Sequence, residues 1–121
     1  MNILGGTMFR ACSAIALLLV SLSLFAYYAD EMEIEPPILE INARGGHLDV
    51  KLAALDGLPL EASFYFSDED ISTKCEDVLR KKMTTDLWCK VRLIGVEWTE
   101  KPNGTMVFYL EKKSDCQLDC P

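Results

Sequence analysis

Alternating apolar and polar residues predict three strands in the first half of the region that follows an apolar N-terminal block. Residues 47–55 begin with Leu, Val and Leu on one face and Asp and Lys on the other, as in a strand with one buried face. Shorter apolar segments at 38–41 and 60–66 flank it, and turn-forming residues at 44–46 and 56–59 separate the three. We expect these strands to form an antiparallel meander.

The apolar period then changes from two residues to that of a helix. Ser and acidic residues at 67–70 supply N-cap candidates and place negative charge at the helix N-terminus, where the helix dipole favours it. Basic residues at 80–82 fall in the last turn, where cations are favoured. Between them, apolar residues recur at helical spacing and form a single stripe. The stripe consists of Ile71, Cys75, Val78, Leu79 and Met83.

A second pair of strands follows the helix. Residues 87–98 alternate with a period of two, but the apolar positions change parity near Ile94-Gly95, which predicts a bulge there. Asn103-Gly104 predicts a tight hairpin of the type I′ class, and 105–110 forms its second strand. We expect 111–121 to be a polar tail. The predicted fold is an α+β domain over 38–121, with one helix packed on a small antiparallel sheet in the order β-β-β-α-β-β.

The N-terminal apolar block, residues 11–29, has two interpretations. Arg10 precedes an apolar run, as in a secretory signal peptide, and cleavage could follow Ala26 or Ala29. The block is also close to the roughly 20 residues that span a bilayer, so it could remain as a signal-anchor. Residues 30–37 are acidic and end in two prolines, which predicts an extended linker between this block and the domain.

The charge of the chain limits its partners. The net charge is −7, and all acidic residues lie at or beyond Asp30. Because nucleic-acid affinity depends on Lys and Arg neutralising phosphates, we expect no nucleic-acid partner. The membrane is a partner only through residues 11–29, if they are not cleaved.

Four cysteines follow the apolar block, and an even number in a short exported domain predicts two disulfides. These are Cys75, Cys89, Cys116 and Cys120. Their spacing contains neither a Cys-x2-Cys knuckle, as in zinc sites, nor a redox Cys-x-x-Cys motif. Three pairings are open, and we favour nearest neighbours, Cys75–Cys89 with Cys116–Cys120. The pairing implies an extracytoplasmic location: secreted, periplasmic, or membrane-anchored with the domain outside the cytosol.

No sequence motif indicates catalysis. His47, the only histidine, follows a glycine turn and has no second ligand at a suitable spacing, so we expect a surface turn residue. The acidic residues 68–70 lack the EF-hand pattern and are explained by helix capping. We therefore expect no enzyme activity, no cofactor and no metal. Asn103-Gly104-Thr105 is a sequon for N-glycosylation, which makes Asn103 a candidate modification site.

Aromatic and basic residues supply the candidate binding surface. Trp88 and Trp98 share strands with Arg92, and exposed aromatics beside arginine are typical of protein interfaces. The sheet edges offer a second route to partner binding. We expect a small exported, non-enzymatic binding domain that recognises or inhibits another protein. The alternatives are a membrane-tethered component of an envelope or cell-surface assembly and, with only abundant carboxylates to support it, a hydrolase.

Overall fold

The region after the apolar block folds into seven strands and one helix. A computed structural model describes residues 26–54, 57–85 and 88–121. The predicted α+β domain with one helix is confirmed for these residues, but the predicted order of elements is wrong because it misses the first and last strands. The elements are β1 (Tyr27–Ile34), β2 (Ile38–Arg44), β3 (His47–Leu52), β4 (Leu60–Phe66), α1 (Glu69–Thr84), β5 (Lys90–Glu100), β6 (Met106–Leu110) and β7 (Asp115–Asp119).

All seven strands belong to one sheet, in the order β1-β5-β6-β4-β3-β2, with β7 also paired to β5. Strands β2, β3 and β4 form the predicted antiparallel meander. The expected all-antiparallel sheet is wrong at one pair, since β4 and β6 are parallel. The reason is the path of the chain: α1 and β5 come between them, and β6 then turns back from β5 to lie beside β4.

The predicted linker is largely a strand. β1 pairs antiparallel with β5 along its whole length, from Tyr27 opposite Trp98 to Ile34 opposite Val91. Met32 packs against the core and Ile34 lies within it, whereas the intervening Glu33 is exposed. This alternation of apolar and acidic residues is a strand pattern that the acidic composition obscured. Only residues 35–37 connect β1 to β2.

Residues 11–25 of the apolar block lie outside the described residues. The last three residues of the block, Tyr27–Ala29, are the first residues of β1. In residues 26–54, 57–85 and 88–121, no helix is long and apolar enough to cross a membrane. The signal or anchor interpretation of residues 11–29 therefore rests mainly on residues 11–25, which the structure does not describe.

Along β5, the residues that face the core change from odd-numbered to even-numbered positions. Val91 and Leu93 are buried, and after Gly95 the next buried residue is Val96, so the predicted change of face is confirmed. Gly95 has φ +63°, a left-handed conformation that glycine adopts without the steric cost of a Cβ. The register with β1 stays constant across this point, so no extra residue is inserted in that pair.

The other edge of β5 is shared by two strands. β7 pairs with its first half and β6 with its second half, so the predicted polar tail in fact contains a strand. Residues 111–114 bulge out between β6 and β7, opposite Gly95. The Ser114 hydroxyl fastens the junction by donating a hydrogen bond to the Gly95 carbonyl at 2.7 Å and accepting one from the Glu111 amide at 2.9 Å.

The β5–β6 hairpin has a three-residue loop rather than the predicted two-residue type I′ turn. The Gly104 amide donates to the Lys101 carbonyl at 2.8 Å, which places Pro102 and Asn103 at the centre of the turn. Gly104 follows with φ +91°. The fixed φ of Pro102 suits the first central position of a type I turn, and a left-handed glycine after it is the usual completion of such loops.

α1 packs its apolar stripe on one face of the sheet. Asp68 caps it, as predicted, by accepting a hydrogen bond from the Ile71 amide at 3.3 Å. Four of the five stripe residues are buried, and Met83 packs at the edge of the core. Lys82, predicted only as a favourable last-turn charge, is 2% exposed. Its ammonium group donates to the carbonyls of Cys89 and Glu35, at 2.7 and 3.1 Å.

The disulfide pairing differs from the expected one. Cys75 pairs with Cys116, with Cα atoms 5.2 Å apart, and Cys89 pairs with Cys120, at 4.2 Å. The β5–β7 register explains the second pair, because Lys90 lies opposite Asp119 and the preceding and following cysteines therefore meet. The first pair joins the buried stripe of α1 to β7. The nearest-neighbour choice was wrong because β7 was not recognised as a strand.

We predict that both disulfides stabilise the fold, with unequal effects. Sequence separations of 41 and 31 imply about 4 kcal/mol each from chain entropy. Cys75 and Cys116 are fully buried whereas Cys120 is exposed, so Cys75→Ala/Cys116→Ala should lower the free energy of unfolding more than Cys89→Ala/Cys120→Ala. Urea unfolding of the two double variants checks the order. A non-reducing peptide map that links Cys75 to Cys89 would contradict the pairing.

Candidate functional site

The two faces of the sheet are used differently. α1 lies on one face, where it contacts β7, β2, β5 and β4 and packs on the hydrophobic core. The opposite face, which we call the uncovered face, has no described helix or strand packed on it. Its centre is nevertheless well packed, since Ser63 and Val107 lie there and are 8% and 1% exposed. The uncovered face is thus an ordered surface on a rigid support.

A row of side chains, which we call the tyrosine row, crosses the uncovered face from edge to edge. Strand pairing places each member directly opposite the next on six neighbouring strands. Adjacent side chains on one face of paired strands are close enough to interact. From β2 to β1 the row consists of Arg44, His47, Tyr65, Tyr109, Glu97 and Tyr28.

Ring stacking makes the centre of the tyrosine row rigid. The His47 ring stacks on Tyr65, with centroids 4.5 Å apart and planes 9° from parallel. Tyr65 stacks in turn on Tyr109, with a centroid distance of 5.8 Å. These tyrosines are 37% and 41% exposed, and Tyr28 at the end of the row is 58% exposed. Three tyrosines therefore remain accessible on an otherwise ordered face.

Asp49 organises the polar side chains next to the row. Its Oδ1 atom accepts a hydrogen bond from the Ser63 hydroxyl at 2.9 Å and lies 2.8 Å from His47 Nε2. Its Oδ2 atom lies 3.6 Å from Arg44 Nε. Partial burial acts to raise the pKa of Asp49, but the hydrogen bonds from His47 and Ser63 and the nearby positive charges outweigh it, so the pKa lies below its usual value. Asp49 is therefore a carboxylate at neutral pH.

The order of these groups differs from that of a catalytic triad. In a catalytic triad the histidine lies between the serine and the carboxylate, so that it can take the hydroxyl proton. Here the carboxylate lies in the middle, and the Ser63 hydroxyl donates to Asp49 instead of to His47. Asp49 thus holds both the imidazole of His47, which stacks on Tyr65, and the Ser63 hydroxyl.

A shallow depression adjoins the tyrosine row, and we call it the polar depression. Its volume is about 460 Å³. Strands β2, β3 and β4 form its floor, and the β5–β6 hairpin forms one wall through Lys101, Asn103 and Thr105. Arg44, His47 and Tyr65 line it as well, so the depression and the row share three side chains.

The structure does not bring the predicted surface of Trp88, Arg92 and Trp98 together. Trp88 precedes β5 and is 75% exposed. Arg92 lies on the uncovered face, where it makes ion pairs with Glu31 at 2.9 Å and Asp119 at 3.3 Å. Trp98 lies on the covered face, half-buried against the core and 5.0 Å from the Tyr27 ring. The change of face at Gly95 separates Arg92 from Trp98.

The other residues singled out from the sequence are placed as follows. Asn103 is exposed at the hairpin tip, and its Oδ1 atom accepts a hydrogen bond from the Thr105 amide at 3.0 Å. We expected His47 to be a surface turn residue, but it is the first residue of β3 and a member of the row. Among the described residues, no group of three or more histidine, cysteine or acidic side chains is arranged to hold a metal ion.

Sequence reasoning missed Tyr65 and Tyr109. Both lie between apolar neighbours that belong to or pack against the core, as in Phe64-Tyr65-Phe66. A tyrosine at the outward position of such a strand is the signal that could have found them. Their alignment could not have been found, since it requires the parallel pairing of β4 with β6. The chain matches no protein-family model, and the search of curated proteins gives no match.

We predict that Asp49→Asn lowers the free energy of unfolding at pH 7 by about 1 kcal/mol, because the charge-assisted hydrogen bonds weaken in a partly exposed site. A carboxylate with a lowered pKa stabilises the fold above its unfolded pKa, near 3.8, and loses this effect as the pH falls through the lower folded value. The difference between wild type and variant should therefore shrink below pH 4. Urea unfolding measured from pH 7 to pH 2 checks this prediction.

The exposed Asp30→Asn is the matched control, since Asp30 makes no ion pair among the described residues. A wild-type to Asp49→Asn difference that stays constant down to pH 2 would contradict the role given to the carboxylate.

Proposed function

We propose that this protein is a small exported binding domain that recognises another protein through the tyrosine row on the uncovered face of its sheet. The observation that carries the proposal is the exposure of Tyr65, Tyr109 and Tyr28 in one line across an ordered face. Tyrosine is enriched in protein interfaces because it offers a large contact area and a hydroxyl group with only two rotatable side-chain bonds.

The rigidity of the row supports this proposal. Stacking and strand pairing already hold His47, Tyr65 and Tyr109 in single orientations, so little side-chain entropy remains to be lost on binding. Interface residues that dominate binding energy tend to lie on such preorganised supports. Trp88 is also exposed, but it precedes β5 and is not a member of the row.

The charge of the domain favours a basic partner. The net charge of the chain is −7, and Glu97 lies within the row. Glu31 and Glu33 on β1 also lie on the uncovered face, where they pair with Arg92 and Lys90. Opposite charge on the partner would accelerate encounter and reject acidic competitors. The row would then supply the contact area, and the surrounding acidic side chains would supply the steering.

The location proposed for this function is outside the cytosol. Two disulfides indicate an oxidising compartment. We further propose that the apolar block is a cleaved signal peptide. Tyr27–Ala29 belong to β1, so the uninterrupted apolar run is 11–26, which is shorter than the roughly 20 residues of a membrane span. Cleavage after Ala26 would make Tyr27 the first residue of the mature chain and leave β1 complete.

The alternative is a domain tethered in an envelope or cell-surface assembly by an uncleaved block. Because β1 begins at Tyr27, directly after the apolar run 11–26, no linker would separate the anchor from the sheet. The tyrosine row, which ends on β1 at Tyr28, would then lie close to the membrane surface, and the partner would have to be a neighbour in the same membrane.

We predict that the mature protein begins at Tyr27. The intact mass of the chain, purified from its native compartment under non-reducing conditions, should equal residues 27–121 with two disulfides. A mass that starts at Asp30 would remove the first three residues of β1, including Tyr28, and would contradict the cleavage site. A full-length, membrane-bound chain would establish the tethered alternative instead.

We predict that Tyr65→Ser/Tyr109→Ser weakens binding of the partner at least about tenfold, since central interface tyrosines commonly contribute 1–2 kcal/mol or more. The partner is isolated from the native compartment on the wild-type domain, then purified and titrated against each variant. Tyr27→Ser is the matched control, because Tyr27 is 58% exposed but lies on the covered face.

Circular dichroism and urea unfolding establish that each variant is folded. Unchanged affinity of the double serine variant would contradict the proposal. Loss of binding in Trp88→Ala, with the row variants unaffected, would move the interface to the end of β5.

A further inference from the structure

Three strands of the described residues pair with a single neighbour, and each of them therefore has a free edge. β1 and β7 pair only with β5, and β2 pairs only with β3. A free edge offers unpaired amide and carbonyl groups to a further strand. The side chains beside that edge then decide which strand it accepts, since opposite charges across a strand pair stabilise it and like charges destabilise it.

β2 differs from the other two strands because it carries both signs of charge. β1 has three acidic residues and no basic one, and β7 has Asp115 and Asp119 without a basic residue. Two copies of either strand would bring like charges together. In β2, Glu40 and Arg44 lie on the uncovered face, at equal distances along the strand from Asn42. Read in the opposite direction, this pattern is complementary to itself.

The backbone of β2 is arranged to pair with another strand. The two-residue turn 45–46 makes Arg44 and His47 a hydrogen-bonded pair between β2 and β3. The direction of the amide and carbonyl groups alternates from there, so those of Ile41 and Ala43 point away from β3. Among the described residues, no hydrogen bond reaches these outward groups.

We propose that β2 pairs antiparallel with β2 of a second copy of this chain, about a two-fold axis at Asn42. In this register Glu40 lies opposite Arg44 of the partner copy, and Arg44 lies opposite the partner's Glu40. The outward groups of Ile41 form hydrogen bonds with those of Ala43 in the partner copy. The contact is self-complementary, as a two-fold interface requires.

The contacts that Glu40 and Arg44 already make are compatible with this pairing. Glu40 Oε2 accepts a hydrogen bond from Asn42 Nδ2 at 2.7 Å, and Glu40 Oε1 lies 3.8 Å from Lys51 Nζ. Arg44 Nε lies 3.6 Å from Asp49 Oδ2, and the Arg44 side chain is 70% exposed. Both ion pairs are long and exposed, so each contributes little to stability. A carboxylate and a guanidinium group each have further hydrogen-bonding positions for the partner copy.

The joined sheet would display two tyrosine rows on one side. The two-fold axis is perpendicular to the sheet, so both uncovered faces point the same way, and Arg44 at the end of each row lies at the junction. Self-association does not require the protein-binding function proposed above. Bivalent binding of a protein partner, with the avidity that it provides, rests on that function.

The test is sedimentation equilibrium of the mature protein with its disulfides intact, at physiological ionic strength. We expect a dimer with a Kd on the order of 100 µM, because one strand pair buries less area than a stable interface. Charges more than about 8 Å apart are largely screened under these conditions, so the net charge of −7 does not prevent association.

Charge reversal tests the register. Glu40→Arg and Arg44→Glu should each weaken the dimer at least about tenfold, because each places like charges opposite one another twice across the axis. A mixture of the two variants should form a heterodimer in native mass spectrometry, because opposite charges face each other again. Glu97→Arg and Lys101→Glu are the matched controls, since both are exposed, lie outside β2 and change the charge equally.

Ala43→Pro tests the backbone pairing. Proline removes one outward amide and leaves the bonds to β3 in place, so the variant should be folded by circular dichroism and urea unfolding but monomeric. Tyr109→Ser should dimerise as the wild type does, which separates this proposal from the tyrosine row.

Four results would overturn the proposal. A wild-type protein that stays monomeric at millimolar concentration would exclude the dimer, and a dimer that survives Ala43→Pro would exclude β2 as its interface. Failure of the mixed variants to form a heterodimer would exclude the register. Equal weakening by Glu97→Arg would mean a general charge effect.

Discussion

The structure depends on β5, which alone among the strands of the described residues pairs with three others. β1 lies along one edge of it, and β7 and β6 share the other edge in succession. Gly95 lies within this long strand and adopts a left-handed conformation. At this residue the side of β5 that faces the core changes. Ser114 closes the junction from the neighbouring strand. Gly95 therefore determines which residues of β5 face α1 and which lie on the uncovered face.

The covalent and buried polar contacts concentrate on the covered side and at one end of β5. Cys75–Cys116 fastens α1 to β7, and Cys89–Cys120 joins the start of β5 to the end of β7. Lys82 on α1 adds hydrogen bonds to the carbonyl of Glu35, which follows β1, and to that of Cys89, which precedes β5. Burial lowers the pKa of Lys82, although the negative charge of Glu35 acts to raise it. With stability supplied there, the uncovered face can display tyrosines and charged groups instead of completing a core.

The sequence was sufficient to predict the elements that depend only on neighbouring residues. The helix 69–84, its cap at Asp68 and the change of face at Gly95 all follow from neighbouring residues. β1 and β7 were missed because one face of each is acidic or polar, which resembles a linker or a tail. The disulfide pairing and the tyrosine row depend on register between distant strands, and a single sequence does not encode that register in any readable local signal. His47 was judged a turn residue for the same reason, since its partners Asp49, Tyr65 and Arg44 are brought together by strand pairing.

The most direct measurement of this account is amide hydrogen exchange, resolved by residue, on the mature protein with its disulfides intact. If β5 organises the sheet, the amides that join β1 and β7 to β5 exchange as slowly as those of β5 itself, at the rate set by global unfolding. The amides that join β7 to β5 should become fast in the reduced protein, because both disulfides hold β7. Exchange of residues 27–34 at the rate of an unstructured chain in the oxidised protein would contradict the account, since β1 would then be the linker that its composition resembles.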